Sequence, residues 1–115
     1  MISLSTFRKM ALAFDEAVEQ PHWEKASFRV KKKIFATLDQ KKHRAVLKLS
    51  AIDQSVFCAY DNTVIYPVQG GWGKQGWTIV ELKKVKAAVC KDALITSYCT
   101  VAPAKLSAKY QHHLE

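Results

Sequence analysis

At 115 residues the chain is one domain's worth of sequence, and its 49% hydrophobic and 24% charged residues are a globular balance, not that of a disordered or low-complexity segment. A domain this size buries about two-thirds of its unfolded surface, so it needs neither a metal nor a disulfide to hold together. The 18 Lys and Arg against 10 Asp and Glu leave a net charge of +8, an excess that suits an anionic partner and also keeps a protein soluble.

The chain opens with a predicted helix. Leu4, Phe7, Met10, Ala11, Phe14, Ala17 and Val18 recur at steps of three and four and form one apolar stripe. Ser3 or Ser5 can cap its start. Gln20-Pro21 should end it, because proline disfavours helical geometry at the preceding residue. Three strands follow as an antiparallel meander with short turns. Lys25 to Val30 alternates, with Ala26, Phe28 and Val30 inward and Lys25, Ser27 and Arg29 outward. Lys33 to Leu38 puts Ile34, Ala36 and Leu38 on one face and Phe35 and Thr37 on the other. Arg44 to Ser50 puts Ala45, Leu47 and Leu49 inward.

Ala51 to Tyr60 reads as a short helix with Ile52, Val56 and Phe57 inward. Val64 to Val68 reads as a strand, with Pro67 suited to a sheet edge. Gly70 to Gly76 reads as a flexible glycine-rich hairpin loop. Trp77 to Leu82 is a strand rich in β-branched residues. From Lys83 the pattern turns helical, with Val85, Ala88 and Val89 on one side. Asp92 is a candidate cap for a further helix carrying Ala93, Leu94, Ile95 and Tyr98, and Ala102-Pro103 ends it. Helices at both ends and a sheet between them predict an α+β two-layer sandwich, with the helices on one face of an antiparallel sheet and the other face partly open to water.

Cys58, Cys90 and Cys99 are odd in number and show no C-x-x-C spacing, so reduced thiols in a cytoplasmic protein are expected. No apolar run approaches the ~20 residues that span a bilayer, and the N-terminus has no secretory pattern. Leu114-Glu115 looks like the start of a cloning scar, which leaves a single domain over residues 1–113, expected as a monomer.

Several stretches carry a family resemblance. Pro21-His22-Trp23-Glu24-Lys25-Ala26-Ser27-Phe28-Arg29-Val30, continued by Lys33-Ile34-Phe35-Ala36-Thr37-Leu38, resembles the central hairpin of the MmcQ/YjbR-like family. Ala45-Val46-Leu47-Lys48-Leu49 is similar to that family's next strand, and Trp77-Thr78-Ile79-Val80-Glu81-Leu82 to its late tryptophan-bearing strand. Ser97-Tyr98-Cys99-Thr100-Val101-Ala102-Pro103 resembles its C-terminal serine–tyrosine motif. Trp23 stands where an aromatic such as Phe is commoner. The resemblance implies a CyaY-like, double-wing α+β fold and the family's label of predicted DNA-binding protein, a label that rests on fold analogy.

Candidate chemistry is thin. Gly71-Trp72-Gly73-Lys74-Gln75-Gly76 fits G-x-G-x-x-G, but a dinucleotide fingerprint must open a helix, and here the glycines lead into a strand. Gln75 stands where a P-loop needs Ser or Thr. His22, His43, His112 and His113 show no metalloprotease spacing, and His112-His113 supplies two ligands at most. Tyr98 reads as a packed residue whose hydroxyl reaches a partner at the sheet edge. Ser97 has no His near it in sequence. No carboxylate cluster suits iron, metal or general acid–base work. The chain is therefore expected to be no enzyme and to carry no cofactor.

The strongest signal is basic. Residues 25–48 hold nine of the 18 Lys and Arg and one acid, Asp39. The leading expectation is a sequence-tolerant nucleic-acid site, DNA with RNA left open, formed by Arg29, Lys31, Lys32, Lys33, Phe35, Lys41, Lys42, Arg44 and Lys48, with Lys74 on the glycine segment. Phe35 is expected on the outer face as a stacking aromatic. The alternatives are a protein-interaction adaptor using Trp72 and the glycine loop, and a small-molecule site in a pocket near Trp23, Trp77 and Tyr98.

Overall fold

A computed structural model describes residues 1–111. It contains α1 (Leu4–Leu12), β1 (Val18–His22), β2 (Lys25–Val30), β3 (Lys33–Asp39), β4 (Arg44–Lys48), α2 (Ala51–Tyr60), β5 (Ile65–Pro67), α3 (Gly71–Lys74), β6 (Trp77–Glu81), α4 (Ala87–Val101) and α5 (Ala104–Ser107). His112, His113 and the suspected scar residues Leu114 and Glu115 lie outside the described residues. The six strands form one antiparallel sheet in the order β1-β2-β3-β4-β6-β5. α1 and α4 cover one face, which gives the expected α+β sandwich.

α1 is capped by Ser3, whose hydroxyl accepts the Thr6 N–H at 3.1 Å. It ends earlier than its apolar spacing predicts. Glu16 takes a left-handed φ of 60°, which breaks the helix, and Phe14 and Ala17 reach the core from the turn instead. Val18–His22 is not helix but strand, satisfying the outer edge of β2. Pro21 is tolerated there because β1 is itself an edge. The acids Asp15, Glu16 and Glu19 therefore lie in a turn and a strand, not on a helix.

The meander forms as expected, with one bulge that changes a face. β2 and β3 pair as Phe28 with Ala36 but Arg29 with Ile34, so Phe35 is an extra residue on β3. The extra residue turns Phe35 inward beside Ala36 and puts Ile34 outward, the reverse of a simple alternation. Phe35 is fully buried, edge-on to Phe14 (centroids 6.0 Å apart) and Tyr98 (5.5 Å). The Ser97 hydroxyl donates to the Phe35 carbonyl at 2.5 Å and so satisfies an acceptor at the interrupted ladder.

α4 is one continuous helix, not two. Asp92 lies within it, and its Cys90–Tyr98 stretch supplies the inner layer against β3 and β4. Ala88 is exposed and only Val85 of the predicted early trio is fully buried. The Tyr98 ring stacks on Phe14 at 4.6 Å, and its hydroxyl donates to the Asp15 carbonyl at 2.6 Å. The Asp15 N–H donates in turn to the Tyr110 hydroxyl at 3.1 Å. These bonds anchor the turn that replaces the end of the predicted helix.

α2 has the expected bounds but a different face inward. Phe57 packs against the core, while Ile52 and Val56 are 77% and 64% exposed. The glycine segment is not a flexible loop. It contains α3, and two of its glycines are required by close backbone approach. A Cβ on Gly73 would stand 1.8 Å from the Val68 carbonyl oxygen, and one on Gly76 would stand 1.8 Å from that of Leu49. Gln54 on α2 holds the segment, its amide donating to the Gly73 carbonyl at 2.9 Å and the Thr78 hydroxyl at 3.0 Å.

Candidate nucleic-acid interface

The open face of the sheet follows from strand alternation and the bulge. Across one end runs a charge ladder set by register: Asp39 opposite Arg44, and Arg44 opposite Glu81. The Arg44 guanidinium meets the Glu81 carboxylate at 3.0 Å, and Glu81 also accepts the Tyr66 hydroxyl, a bond that raises the Tyr66 pKa. Arg44 is thus committed to an acid inside the sheet. The ladder alternates in sign, so the open face is not one continuous positive surface.

The ten nominated residues divide into three groups. Phe35 is in the core and contacts no ligand from there, which corrects its outward placement; the bulge is the cause. Lys31 pairs with Glu16 at 2.7 Å, Lys41 lies 3.9 Å from Glu24, and Arg44 is held by Glu81. Arg29 donates to the Ser27 hydroxyl at 3.0 Å. Lys48 donates to the Gln75 carbonyl and stands 5.6 Å from the Trp77 ring centre, a cation–π contact. Lys32, Lys33, Lys42 and Lys74 are exposed and make no ion pair among the described residues.

The strand directions also separate these groups. Lys31–Lys33 sit at one end of the β2–β3 hairpin, and Lys41 and Lys42 sit at the other, about 20 Å away along strands of this length. Lys31 and Lys32 both have positive φ, 50° and 69°, at the two central positions of a tight hairpin turn. Such turns favour Asn and Gly, so lysines there hold the backbone in a conformation that costs about 1 kcal/mol or more per residue.

What the sheet does bring together is aromatic. A hollow of about 890 Å³ lies on the open face. Ile34, Thr37 and Val46 form its floor, Ile34 being there because of the bulge. His22 and Trp23 close one end, with Lys25 and Glu24 on the rim; Val68, Trp72 and Trp77 close the other. All three tryptophans of the chain therefore face one groove. Tyr98, grouped with Trp23 and Trp77 as a possible pocket wall, is on the opposite side of the sheet. Its hydroxyl pKa is pushed up to about 12, first by burial and then by Tyr110 and Asp15 nearby.

Composition and alternation do not bring out the groove, because Trp23 and Trp72 lie outside the strands. Trp23 reaches the face from the β1–β2 turn and Trp72 from α3. Of the pocket expected near Trp23, Trp77 and Tyr98, the two tryptophans do border the hollow.

Among the described residues no three His, Cys, Asp or Glu side chains gather where they could share a metal ion, and no helix is long and apolar enough to cross a membrane. The Ser97 and Tyr98 hydroxyls are both spent on backbone carbonyls. Burial raises the thiol pKa of Cys58, Cys99 and, to about 12, Cys90.

The Deinococcus radiodurans protein DR2400, described as having a DUF419 domain, has a crystal structure similar to this fold. The TM-score is 0.79 at 19% identity, over 96% of this chain and 89% of that one. At that identity the likeness shows the fold alone. No curated protein sequence matches the chain. The family model for YjbR matches residues 12–100, from the end of α1 through nearly all of α4, and the chain belongs to the YjbR family.

Proposed function

We propose that the chain is a non-enzymatic, sequence-tolerant nucleic-acid-binding protein of the cytoplasm, acting as a monomer. The observation that carries this reading is the set of exposed cations without acid partners among the described residues. Of these, Lys25, Lys32, Lys33 and Lys42 stand at the ends and rim of the open sheet face and Lys74 on α3, while Lys9, Lys83, Lys84, Lys86, Lys91 and Lys105 lie on α1, α4, α5 and the β6–α4 connection. A phosphate backbone crossing that face meets positive charge at both ends of the meander. Lys31, Lys41 and Arg44 contribute less, because each already faces a carboxylate. DNA is the first ligand to test, and RNA is compatible with the same contacts. A non-catalytic role is supported by the Ser97 and Tyr98 hydroxyls, which serve the fold.

The test is a salt titration of binding to duplex and single-stranded DNA. The affinity should fall steeply between ~50 and ~200 mM salt, with a log–log slope of about −3 to −5 for four to six phosphate contacts. Absence of binding at low salt, or affinity indifferent to salt, overturns the reading.

A second reading has its own observation. Ile52, Val56 and Tyr60 on α2 lie at helical i, i+4, i+8 spacing and are all exposed. An apolar stripe of this kind suits a protein partner. A partner that remains bound at high salt and is released by Val56→Glu favours the adaptor over nucleic acid.

A further inference from the structure

We infer that the tryptophan-lined groove on the open face of the sheet is a site for unpaired nucleobases, so that the protein selects single strands over duplex. This rests on the nucleic-acid reading and specifies its ligand.

Trp23 is the most informative residue. It is 90% exposed, so it contributes almost nothing to the core. It also sits at a φ of 57°, as the first of two residues in the β1–β2 turn between His22 and Lys25. Glu24, the second, does not share that positive φ. That pattern belongs to the hairpin turn whose first central residue is normally glycine. A bulky side chain with positive φ is a genuine outlier, and strain of this kind collects at functional positions. The fold gains neither burial nor backbone comfort from an indole at this position.

The other end of the groove is built differently to the same effect. Trp72 is 63% exposed on α3, and α3 is held in place by the close approach of Gly73 to Val68 and by the Gln54 amide. Trp77 lies beside it in β6 with Lys48 over its ring. Lys25 stands on the rim beside Trp23, with Glu24 next to it, and at the other end Lys48 lies over the Trp77 ring while bonded to the Gln75 carbonyl. Alternating indole and ammonium groups match an extended single strand, whose bases offer π-faces and whose phosphates offer charge. In a duplex the base faces are already stacked on one another and closed to indoles set in a concave floor. The volume, about 890 Å³, is near the top of the roughly 300–1,000 Å³ range of small-ligand sites and leaves room for bases at both ends. An apolar peptide is the competing occupant; Lys25 at one end and Lys48 over Trp77 at the other favour an anionic one, an advantage that Glu24 beside Lys25 partly offsets.

The decisive experiment measures anisotropy of three labelled ligands of equal length at low salt: a single strand, the same backbone without bases, and a duplex. The single strand should bind about tenfold or more tighter than the abasic strand. Trp23→Gly and Trp72→Ala, each checked for an intact thermal transition, should each weaken the single strand about tenfold and leave the abasic strand and duplex unchanged. The double variant Lys32→Glu/Lys33→Glu should weaken all three, which reports on the phosphate contacts alone. If the abasic strand binds as tightly as the intact one, or the tryptophan variants change nothing, the groove is not a base site and the nucleic-acid reading survives. If none of the three binds the native protein, both fail, and a groove occupied by an apolar peptide takes their place.

Discussion

The two faces of the sheet are made by the same alternating strands, yet they spend their aromatic residues in opposite ways. On the inner face Phe7, Phe28, Phe35 and Tyr98 are fully buried and contact one another or Phe14 edge-to-face or stacked. On the outer face Trp23 and Trp72 stand in water around a hollow, and Trp77 is only half-buried. The inner aromatics stabilise the fold through area and close packing. The outer ones leave apolar surface uncovered, and Trp23 adds backbone strain. Aromatic character alone therefore does not distinguish core from site; the distinction lies in what each ring touches.

Substitutions on the two faces should separate cleanly. The largest effect is expected for Phe35→Ala, which empties the centre of the inner cluster and should lower unfolding free energy by about 3–5 kcal/mol in urea denaturation. Ser97→Ala removes the donor to the Phe35 carbonyl and leaves a buried acceptor at the bulge without its partner. A loss of about 1–3 kcal/mol is expected, and a loss near zero would show that the bulge does not depend on α4.

Tyr98→Phe deletes one hydrogen bond to the Asp15 carbonyl and should cost about 1 kcal/mol at neutral pH. It also carries a pH signature. The folded-state pKa of Tyr98, about 12, lies above the ordinary tyrosine value near 10, and that of Cys90 is raised by burial in the same direction. Groups raised in this way contribute stability that is complete below their unfolded pKa and is lost as the pH climbs toward the folded one. Stability of the native protein should therefore fall above about pH 9, and Tyr98→Phe should make the fall shallower above about pH 10. The smallest effect is expected on the outer face. Trp23→Gly removes an exposed ring and relieves a positive φ, so the unfolding free energy should change by no more than about 0.5–1 kcal/mol in either direction. A large destabilisation there would mean that Trp23 belongs to the fold and would erase the contrast between the faces.

The contrast also explains which features could be read from the sequence. β2 and β4 are legible from a period of two and β6 from its β-branched and aromatic residues, β3 is legible as a strand but not in its faces, and the cap at Ser3 and the edge position of Pro67 follow from local chemistry. Val18–His22 was not, because its apolar residues continue the spacing of α1. Only the demand of β2 for a hydrogen-bonded neighbour and the turn at Glu16 make it a strand. Phe35 was assigned outward because a bulge leaves no mark in hydrophobic alternation, and one extra residue reverses a face. Ile52 and Val56 were assigned inward because any apolar residue in a short helix fits a core, and the packing of Phe57 and Gln54 decided otherwise. The lysines were visible as a cluster in sequence, but antiparallel pairing divides them between two ends of the sheet and matches several with acids. The groove depends on a turn and a one-turn helix brought onto one face, which no spacing rule encodes.

Because all three tryptophans border the groove, the intrinsic indole emission of the native protein reports on that site alone. A titration with a single-stranded oligonucleotide at low salt, followed at once by tryptophan emission and by anisotropy of a label on the strand, tests the central claim directly. Emission quenched in step with the anisotropy, and both reversed by added salt, is the result expected of bases stacked in the groove. A rise in anisotropy with tryptophan emission unchanged would contradict it, placing the strand on the lysine-bearing turns and leaving the open face out of recognition.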